Sequence, residues 1–229
     1  MKLAIMQPYL FPYLGYFQLI RAVDTFVVYD DVNYINKGWI NRNYILAQGN
    51  KLLVTLPLQG ASQNRLINQI RLGDGREKIL KTIRHCYSKA PHFPEVFPLM
   101  EEILLHKETN LARFLDNSLR QVCDHLALHP QRRISSTLKK ENELRGQEKV
   151  LAICEELGAS HYINVPGGKE LYDQDAFADR GTRLSYIQSK PVAYRQLGKA
   201  FVPNLSIIDV MMFNDKEQCT KLLGQYDLV

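Results

Sequence analysis

The densest cluster of polar and aromatic side chains in this sequence lies between residues 30 and 43. It holds two adjacent carboxylates, two basic groups and the only tryptophan, directly after a short β-branched and aromatic stretch. Carboxylates can act as general bases, basic groups can bind phosphate oxygens, and flat rings can stack on a sugar or a base. The alternative is a charged hairpin whose Asp and Asn residues form turns. The candidate residues are Asp30, Asp31, Tyr34, Lys37, Trp39, Asn41, Arg42 and Asn43.

A second polar and aromatic group follows the first apolar run of the chain. Pro8 and Pro12 exclude regular strand pairing there, and helical spacing places Tyr13 and Tyr16 on one face. A helix that begins after Pro12 would also present free backbone N–H groups, which attract anions. The alternative is that each tyrosine belongs to the core. The candidate ligand contacts are Gln7, Tyr9, Tyr13, Tyr16 and Gln18.

Isolated candidates occur in later segments. His85 and Cys86 are neighbours, but consecutive helical residues point about 100° apart, so they are badly placed as a base and a nucleophile. Asp209 follows Ser206 by three residues, the spacing of a capping box, and helix capping is the default interpretation of this pair. The remaining candidates are His85 and His92 as bases, and Lys89, Tyr172 and Asp209 as ligand contacts.

The elements that must position these residues form an α/β chain. A strand at residues 2–6, a helix from Tyr13 and a strand at residues 25–29 make a βαβ unit, which implies a mostly parallel sheet with a right-handed crossover. Ligands in such sheets bind beyond the carboxyl ends of the strands. We therefore expect the loop at Gln7 and Tyr9 to meet the acidic stretch at Asp31 in one cleft.

The rest of the chain alternates between helical and strand patterns. We expect an N-terminal α/β ligand-binding part at 1–75, a helical part at 76–158 packed around the sheet, and a C-terminal part at 159–229 that returns to it, all in one compact unit. The predicted helices cover 77–87, 94–105, 110–125, 146–157, 205–212 and 215–223. Further strands are predicted at 39–46, 51–56, 161–164 and 182–188, and a flexible turn at 166–168.

Composition narrows the class of protein. The net charge of +5 is mild, and basic doublets are few, which argues against nucleic acid as a partner. The four cysteines lack the spacing of metal ligands, so we expect no metal site. Gln7 and Pro8 interrupt the first apolar run, and no run approaches the roughly 18 residues of a membrane span. We therefore expect a cytoplasmic protein with reduced thiols and no membrane insertion.

Several longer segments together resemble the WbqC-like family. They are the stretches at residues 6–20, 29–34, 38–43, 87–91, 167–172 and 205–209. The family occurs in bacterial gene clusters for O-antigen and related surface polysaccharides. The resemblance implies transfer of an acyl or aminoacyl group, such as glycyl, onto an amino sugar.

The residues and the resemblance together suggest one hypothesis. A nucleotide-linked amino sugar binds at the sheet edge and its amine is acylated. Asp30, Asp31, His85 or His92 would act as base, while amide donors such as Gln7, Asn41 and Asn43 would stabilise the oxyanion. Lys37 and Arg42 would hold the diphosphate.

The acyl donor and the reaction class stay open at this point. The donor is a carrier-protein thioester, a coenzyme A thioester or an ATP-activated acid, so an acyl or peptidyl carrier protein is a candidate partner. One rival is a nucleotidyl-transferring or adenylate-forming enzyme, which the strand–loop–helix layout favours. The other is a non-catalytic sugar-nucleotide binding protein, favoured by the lack of a strong nucleophile motif.

Overall fold

The computed structural model describes residues 1–141, 143–198 and 200–229. The strands are β1 (Lys2–Met6), β2 (Thr25–Val28), β3 (Arg42–Ala47), β4 (Asn50–Thr55), β5 (Leu58–Gln59), β6 (Arg71–Leu72), β7 (Gln131–Ile134), β8 (His161–Asn164), β9 (Arg183–Ser189) and β10 (Tyr226–Leu228). The α-helices are α1 (Leu14–Arg21), α2 (Arg76–Tyr87), α3 (Phe93–Leu105), α4 (Leu111–His125), α5 (Gly146–Glu156), α6 (Gln174–Asp179), α7 (Ile207–Phe213) and α8 (Lys216–Leu223). Three 3₁₀ turns lie at Ile67–Gln69, Ser135–Thr137 and Pro166–Leu171.

The central sheet has its first strand in the middle. Its order is β10-β9-β8-β1-β2-β7, and every pairing is parallel except that of the edge strand β10. The chain moves outward from β1 through β2 to β7 and then returns to the other side of β1 for β8 and β9. The order therefore reverses between β1 and β8, which makes this the topological switch point of the sheet.

The two faces of the sheet bury separate cores. Ala4 and Val28 face a large core shared with α1, α2, α3, α4, α7 and α8, whereas Leu3 and Val27 face a smaller core under α5 and α6. Because both faces are covered, β1 and β2 read in the sequence as nearly unbroken apolar runs. A two-stranded hairpin of β3 and β4 lies outside the sheet and packs against α2 and α7.

The predicted α/β class with a mostly parallel sheet is confirmed, and so is the helical middle of α2, α3 and α4. The strand predicted at 39–46 was wrong at its start, because the Arg42 side chain binds the Gly38 carbonyl and closes a turn there. The turn predicted at 166–168 begins a 3₁₀ helix instead. The division into parts ending at residues 75 and 158 stays a prediction. Among the described residues, no helix combines the length and apolarity needed to cross a bilayer.

Candidate functional site

A cavity of about 660 Å³ opens at the carboxyl edge of the sheet, beside the switch point. Its walls come from the ends of β8 and β9, from the first turn of α1, and from a segment that joins β9 to α7. We call this cavity the crevice. Its position is the one at which parallel α/β sheets bind ligands, and its volume is that of a small-molecule site.

The joining segment, residues 190–198 and 200–204, lines one side of the crevice, and we call it the strap. It contributes the rings of Tyr194 and Phe201, whose centroids lie 5.0 Å apart in an edge-to-face arrangement. Tyr13 stands on the α1 side with 37% of its surface exposed. Flat aromatic rings on two walls provide stacking surfaces for a base or a sugar.

A buried carboxylate lies directly behind the strap. Asp209 is fully buried in α7 and accepts three hydrogen bonds, from the Tyr87 hydroxyl at 3.0 Å, the Tyr194 hydroxyl at 2.8 Å and the Gln196 amide at 2.6 Å. All three donors are neutral. Burial raises the pKa of Asp209 above its ordinary value, and the three hydrogen bonds oppose that rise without cancelling it.

The capping-box interpretation of Asp209 was wrong. Ser206 does cap α7, since its hydroxyl accepts the Ile208 backbone N–H at 3.2 Å. The Asp209 side chain instead points to the strap and to α2, where Tyr194, Gln196 and Tyr87 use both of its oxygens.

Gln196 fixes the conformation of the strap. Its amide group accepts from the Val202 N–H at 2.8 Å and donates to the Val202 carbonyl at 3.1 Å, which closes the strap into a loop. The same amide nitrogen donates to Asp209 at 2.6 Å. Gln196 therefore joins Tyr194 in holding the strap against α7.

Gln18 lines the crevice, and its side chain holds neighbouring elements together. It is fully buried, and its amide nitrogen donates to the Leu222 and Gln225 carbonyls at 2.9 and 3.0 Å. Its oxygen accepts the Ser189 hydroxyl at 2.6 Å. These bonds tie α1 to the end of β9 and to the turn after α8, so Gln18 supports the crevice.

A methyl group at Gly15 would narrow the crevice. A Cβ there would lie 2.8 Å from a Tyr13 ring carbon and 2.9 Å from the Ser189 hydroxyl oxygen. We expect Gly15→Ala to push the exposed Tyr13 ring aside, to lower stability by about 1–3 kcal/mol and to weaken ligand binding at the crevice. Thermal unfolding and calorimetric titration measure the two effects. Gly167→Ala is the control, because a Cβ there meets nothing within 4 Å.

Asp30 lines a different cavity from the one that Tyr13 lines. This second cavity, of about 340 Å³, opens at the ends of β2 and β7 beside the start of α4. The carboxylate accepts the Ser136 N–H at 2.9 Å, the Ser136 hydroxyl at 2.6 Å and the Asn68 amide at 3.2 Å. Asp30 thereby anchors two loops beyond β2 and β7.

Asp31 is locked between two lysines. Its carboxylate lies 2.9 Å from the Lys140 ammonium and 3.0 Å from the Lys149 ammonium, and all three side chains are at least nine-tenths buried. Lys149 also donates to the Asp31 carbonyl at 2.7 Å. Burial alone would raise the pKa of Asp31, but hydrogen bonding by Ser135 and the pairing with Lys140 and Lys149 together outweigh it and hold the pKa below its ordinary value.

The other polar residues of the 30–43 cluster position the hairpin. The Tyr34 hydroxyl donates to Asn41 at 2.9 Å, and Asn41 donates to the Leu56 carbonyl at 2.8 Å. Asn43 donates to the Phe11 carbonyl at 2.8 Å. The Arg42 guanidinium binds the carbonyls of Gly38 and Lys37 and lies 5.8 Å from the Trp39 ring centroid. These donors are thus engaged within the fold.

The first loop is packed rather than open. The fully buried Tyr16 donates to the Gln7 carbonyl at 2.8 Å, and the Tyr9 ring lies 5.6 Å from the Tyr16 ring. Burial raises the pKa of Tyr9 to about 12. Both tyrosines therefore stay protonated and support the start of α1.

The histidine candidates and Tyr172 lie away from the crevice. His85 lines a third cavity of about 480 Å³ beside Cys86, whose thiol pKa is raised by burial. His92 precedes α3, and its backbone N–H donates to the Met212 carbonyl at 3.1 Å. Lys89 is exposed at the end of α2. Tyr172 packs edge-to-face against Tyr162 on the other side of the sheet.

The structure therefore spreads the predicted residues over three cavities. Tyr13 and Gln18 line the crevice with Asp209 behind it, Asp30 lines the second cavity, and His85 lines the third. Tyr194, Gln196 and Phe201 were missed, because the strap has no helical or strand period. The available signal was an aromatic stretch bounded by Pro191 and Pro203.

Comparison with known proteins identifies the lineage of this chain. The model of the WbqC-like protein family matches residues 7–221. The chain belongs to the WbqC-like protein family. A protein of Mycobacterium tuberculosis, named "Uncharacterized protein Rv1507c", is 30% identical over 220 residues, which is 93% of each chain. No solved structure matches the chain.

The family region contains every wall of the crevice. The first turn of α1, the ends of β8 and β9, the strap and Asp209 all fall within the residues that the WbqC-like model matches. The crevice is therefore built from the part of the chain that defines its family membership.

Proposed function

We propose that this WbqC-like protein transfers an acyl or aminoacyl group to the amine of a nucleotide-linked amino sugar bound in the crevice. The single observation that carries the proposal is the crevice itself, with aromatic rings on two walls and a buried carboxylate behind the tyrosine of the strap. The setting is the biosynthesis of bacterial surface polysaccharides, which the family resemblance suggests.

The lining suits a stacking ligand with few charges. Tyr13, Tyr194 and Phe201 offer ring faces, and Gln188 and Asn204 offer amide groups for hydrogen bonds to hydroxyl or base edges. The one lysine among the described lining residues is Lys190, which pairs with Asp227 at 2.8 Å. The base and sugar would therefore occupy the crevice, with the diphosphate toward its open rim.

The proton of the attacking amine needs an acceptor. Among the described residues that line the crevice there is no carboxylate, imidazole or thiol. Tyr194 lines it, however, and already directs its own proton to Asp209. Its oxygen can accept a proton from the amine while its hydroxyl proton passes to Asp209, whose raised pKa suits a base.

The resulting reaction is an ordinary acyl transfer. The amine nitrogen bonds to the carbonyl carbon of the donor, and the bond between that carbon and its leaving group breaks. With a thioester donor the sulfur leaves as a thiolate and takes up a proton, while the amine proton is lost through Tyr194 to Asp209. Leu14 and Gly15 in the first turn of α1 line the crevice, and the positive end of this helix would favour developing negative charge there.

Removal of an aromatic wall tests the site. We expect Phe201→Ala to weaken the binding of a nucleotide-linked amino sugar by about tenfold, because it removes a stacking face without touching Asp209. Isothermal titration with uridine- and thymidine-diphosphate amino sugars measures the change. Tyr186→Phe is the control, since Tyr186 in β9 packs against the smaller core on the other face of the sheet. Equal losses in both variants would contradict the assignment of the site.

A second candidate function is a non-catalytic sugar-nucleotide binding protein. The observation in its favour is the same lining, in which the described residues include no carboxylate, imidazole or thiol. The two functions separate in one assay. Tight binding of the sugar nucleotide without acylation by any thioester or ATP-activated donor would favour the binding protein.

A further inference from the structure

Positive charge is concentrated in one stretch of the chain. Residues 32–90 contain ten lysines and arginines and two acidic residues, a net charge of +8, whereas the whole chain is +5 and the remainder therefore −3. Between Val32 and Gly73 there is no Asp or Glu at all. This stretch includes the β3–β4 hairpin and α2, which contact each other.

An open groove runs between that hairpin and that helix. It is the third cavity, of about 480 Å³, with Ala47, Leu52 and Cys86 as its apolar lining and Lys81 and His85 at the side of α2. Leu52 leaves 37% of its surface exposed. The groove therefore combines an apolar floor with a basic rim.

The cations around the groove are available to a partner. In the part of the chain that the structure describes, Lys81, which lines the groove, and Lys89, which follows the same helix, take part in no ion pair. Both are exposed. Unpaired cations clustered around an apolar floor attract an acidic partner and steer its approach.

We propose that this groove docks a small acidic protein, which inserts an apolar side chain between Leu52 and α2. A concave floor favours a protein anchor, because a membrane surface meets flat or convex apolar patches, and nucleic acid follows extended rows of cations. The partner's chemistry is thus an acidic helical surface with one protruding apolar residue.

The groove is connected to the crevice by contact and by hydrogen bonds. A Cβ at Gly198 in the strap would lie 3.7 Å from the Gly49 Cα, so the hairpin turn touches the strap. Tyr87, which follows Cys86 in α2, donates to Asp209, and Asp209 accepts from Tyr194 in the crevice. A partner at the groove would therefore sit beside the proposed reaction centre.

This position suggests what the acidic protein brings. It would carry the acyl or aminoacyl group as a thioester and present it at the strap, an extension that rests on the proposed function. The docking contact itself does not depend on the transfer, since it is made by the surface of the carrier and not by its cargo.

Charge reversal at the groove tests the docking contact. We expect Lys81→Glu with Lys89→Glu to weaken the binding of a fluorescently labelled apo acyl carrier protein by at least about tenfold in an anisotropy titration at low salt. Arg183→Glu is the control, because Arg183 is exposed at the opposite, amino end of the sheet. Absence of saturable binding to the unaltered chain, or equal losses in both variants, would overturn the proposal.

Filling the groove separates a protein partner from other anions. Thr82 lies in the groove, so Thr82→Trp occupies the apolar floor without changing any charge. We expect the Thr82→Trp variant to bind the carrier more weakly and to keep the melting temperature of the unaltered chain. Binding of phosphatidylglycerol vesicles or DNA in preference to the carrier, undiminished in Thr82→Trp, would overturn the proposal. Carrier binding without binding of the sugar nucleotide would refute only the proposed function.

Discussion

Replacing Tyr194 with phenylalanine is expected to lower the rate of amine acylation by about 10²–10⁴-fold and to change the Kd for the sugar nucleotide by less than about fivefold. The ring that faces the crevice stays, and only the hydroxyl that donates to Asp209 is removed. The amine then has no route for its proton. Single-turnover rates of thiol release from a thioester donor measure the loss, and titration measures the binding.

The pH profile distinguishes a proton relay from a merely structural hydroxyl. Burial raises the pKa of Asp209, and the base must be ionised to work, so the rate of the unaltered enzyme should rise with pH through that raised pKa. In Tyr194→Phe the residual rate should no longer show this rise with pH, the acidic limb of the profile. A variant that keeps its rate, or keeps the limb, would contradict the relay. Tyr186→Phe should retain both.

The largest expected effect on stability lies at Asp31. Its replacement by alanine leaves the Lys140 and Lys149 ammonium groups buried without their carboxylate. We expect Asp31→Ala to lower the free energy of unfolding by about 3–5 kcal/mol, since breaking a buried pair from one side leaves uncompensated charge. Urea unfolding at neutral pH measures the change.

An exposed aspartate provides the comparison. Asp124 pairs with Arg120 at 3.3 Å across one turn of α4, with more than half of each side chain exposed. We expect Asp124→Ala to cost at most about 1 kcal/mol. Equal losses of unfolding free energy in Asp31→Ala and Asp124→Ala would contradict the stabilising role of the buried ion pairs at Asp31.

Acid should remove the contribution of Asp31. Its pKa is lowered in the folded chain, so the stabilisation is complete above the unfolded pKa of about 3.9 and is lost as the pH falls through the folded value. The stability of the unaltered chain and that of Asp31→Ala should therefore converge only below about pH 4.

Local pattern predicted the elements but not the assembly. The βαβ unit at the start of the chain was readable, because the prolines at 8 and 12 separate a buried strand from a helix with its apolar residues on one face. The position of β8 beside β1 could not be predicted. The partners Leu3 and Tyr162 are separated by 158 residues, and no local pattern reaches across that distance. The switch point therefore became visible only in three dimensions.

The same limit applies to the candidate site. Tyr13 and Asp209 stood out in the sequence for their chemistry, but the strap between β9 and α7 has no period to mark it. Asp31 looked catalytic beside Asp30, and only the fold reveals Lys140 and Lys149 around it. Residue type suggested which side chains can do chemistry, whereas long-range packing decided which of them line the crevice.

A crystal structure of the chain with a nucleotide-linked amino sugar is the most direct test of the crevice as the binding site. We expect electron density for the base or sugar against Tyr13 and Phe201, with the amine within hydrogen-bonding distance of the Tyr194 oxygen. Density for the ligand in the cavity at Asp30, with the crevice empty, would contradict it.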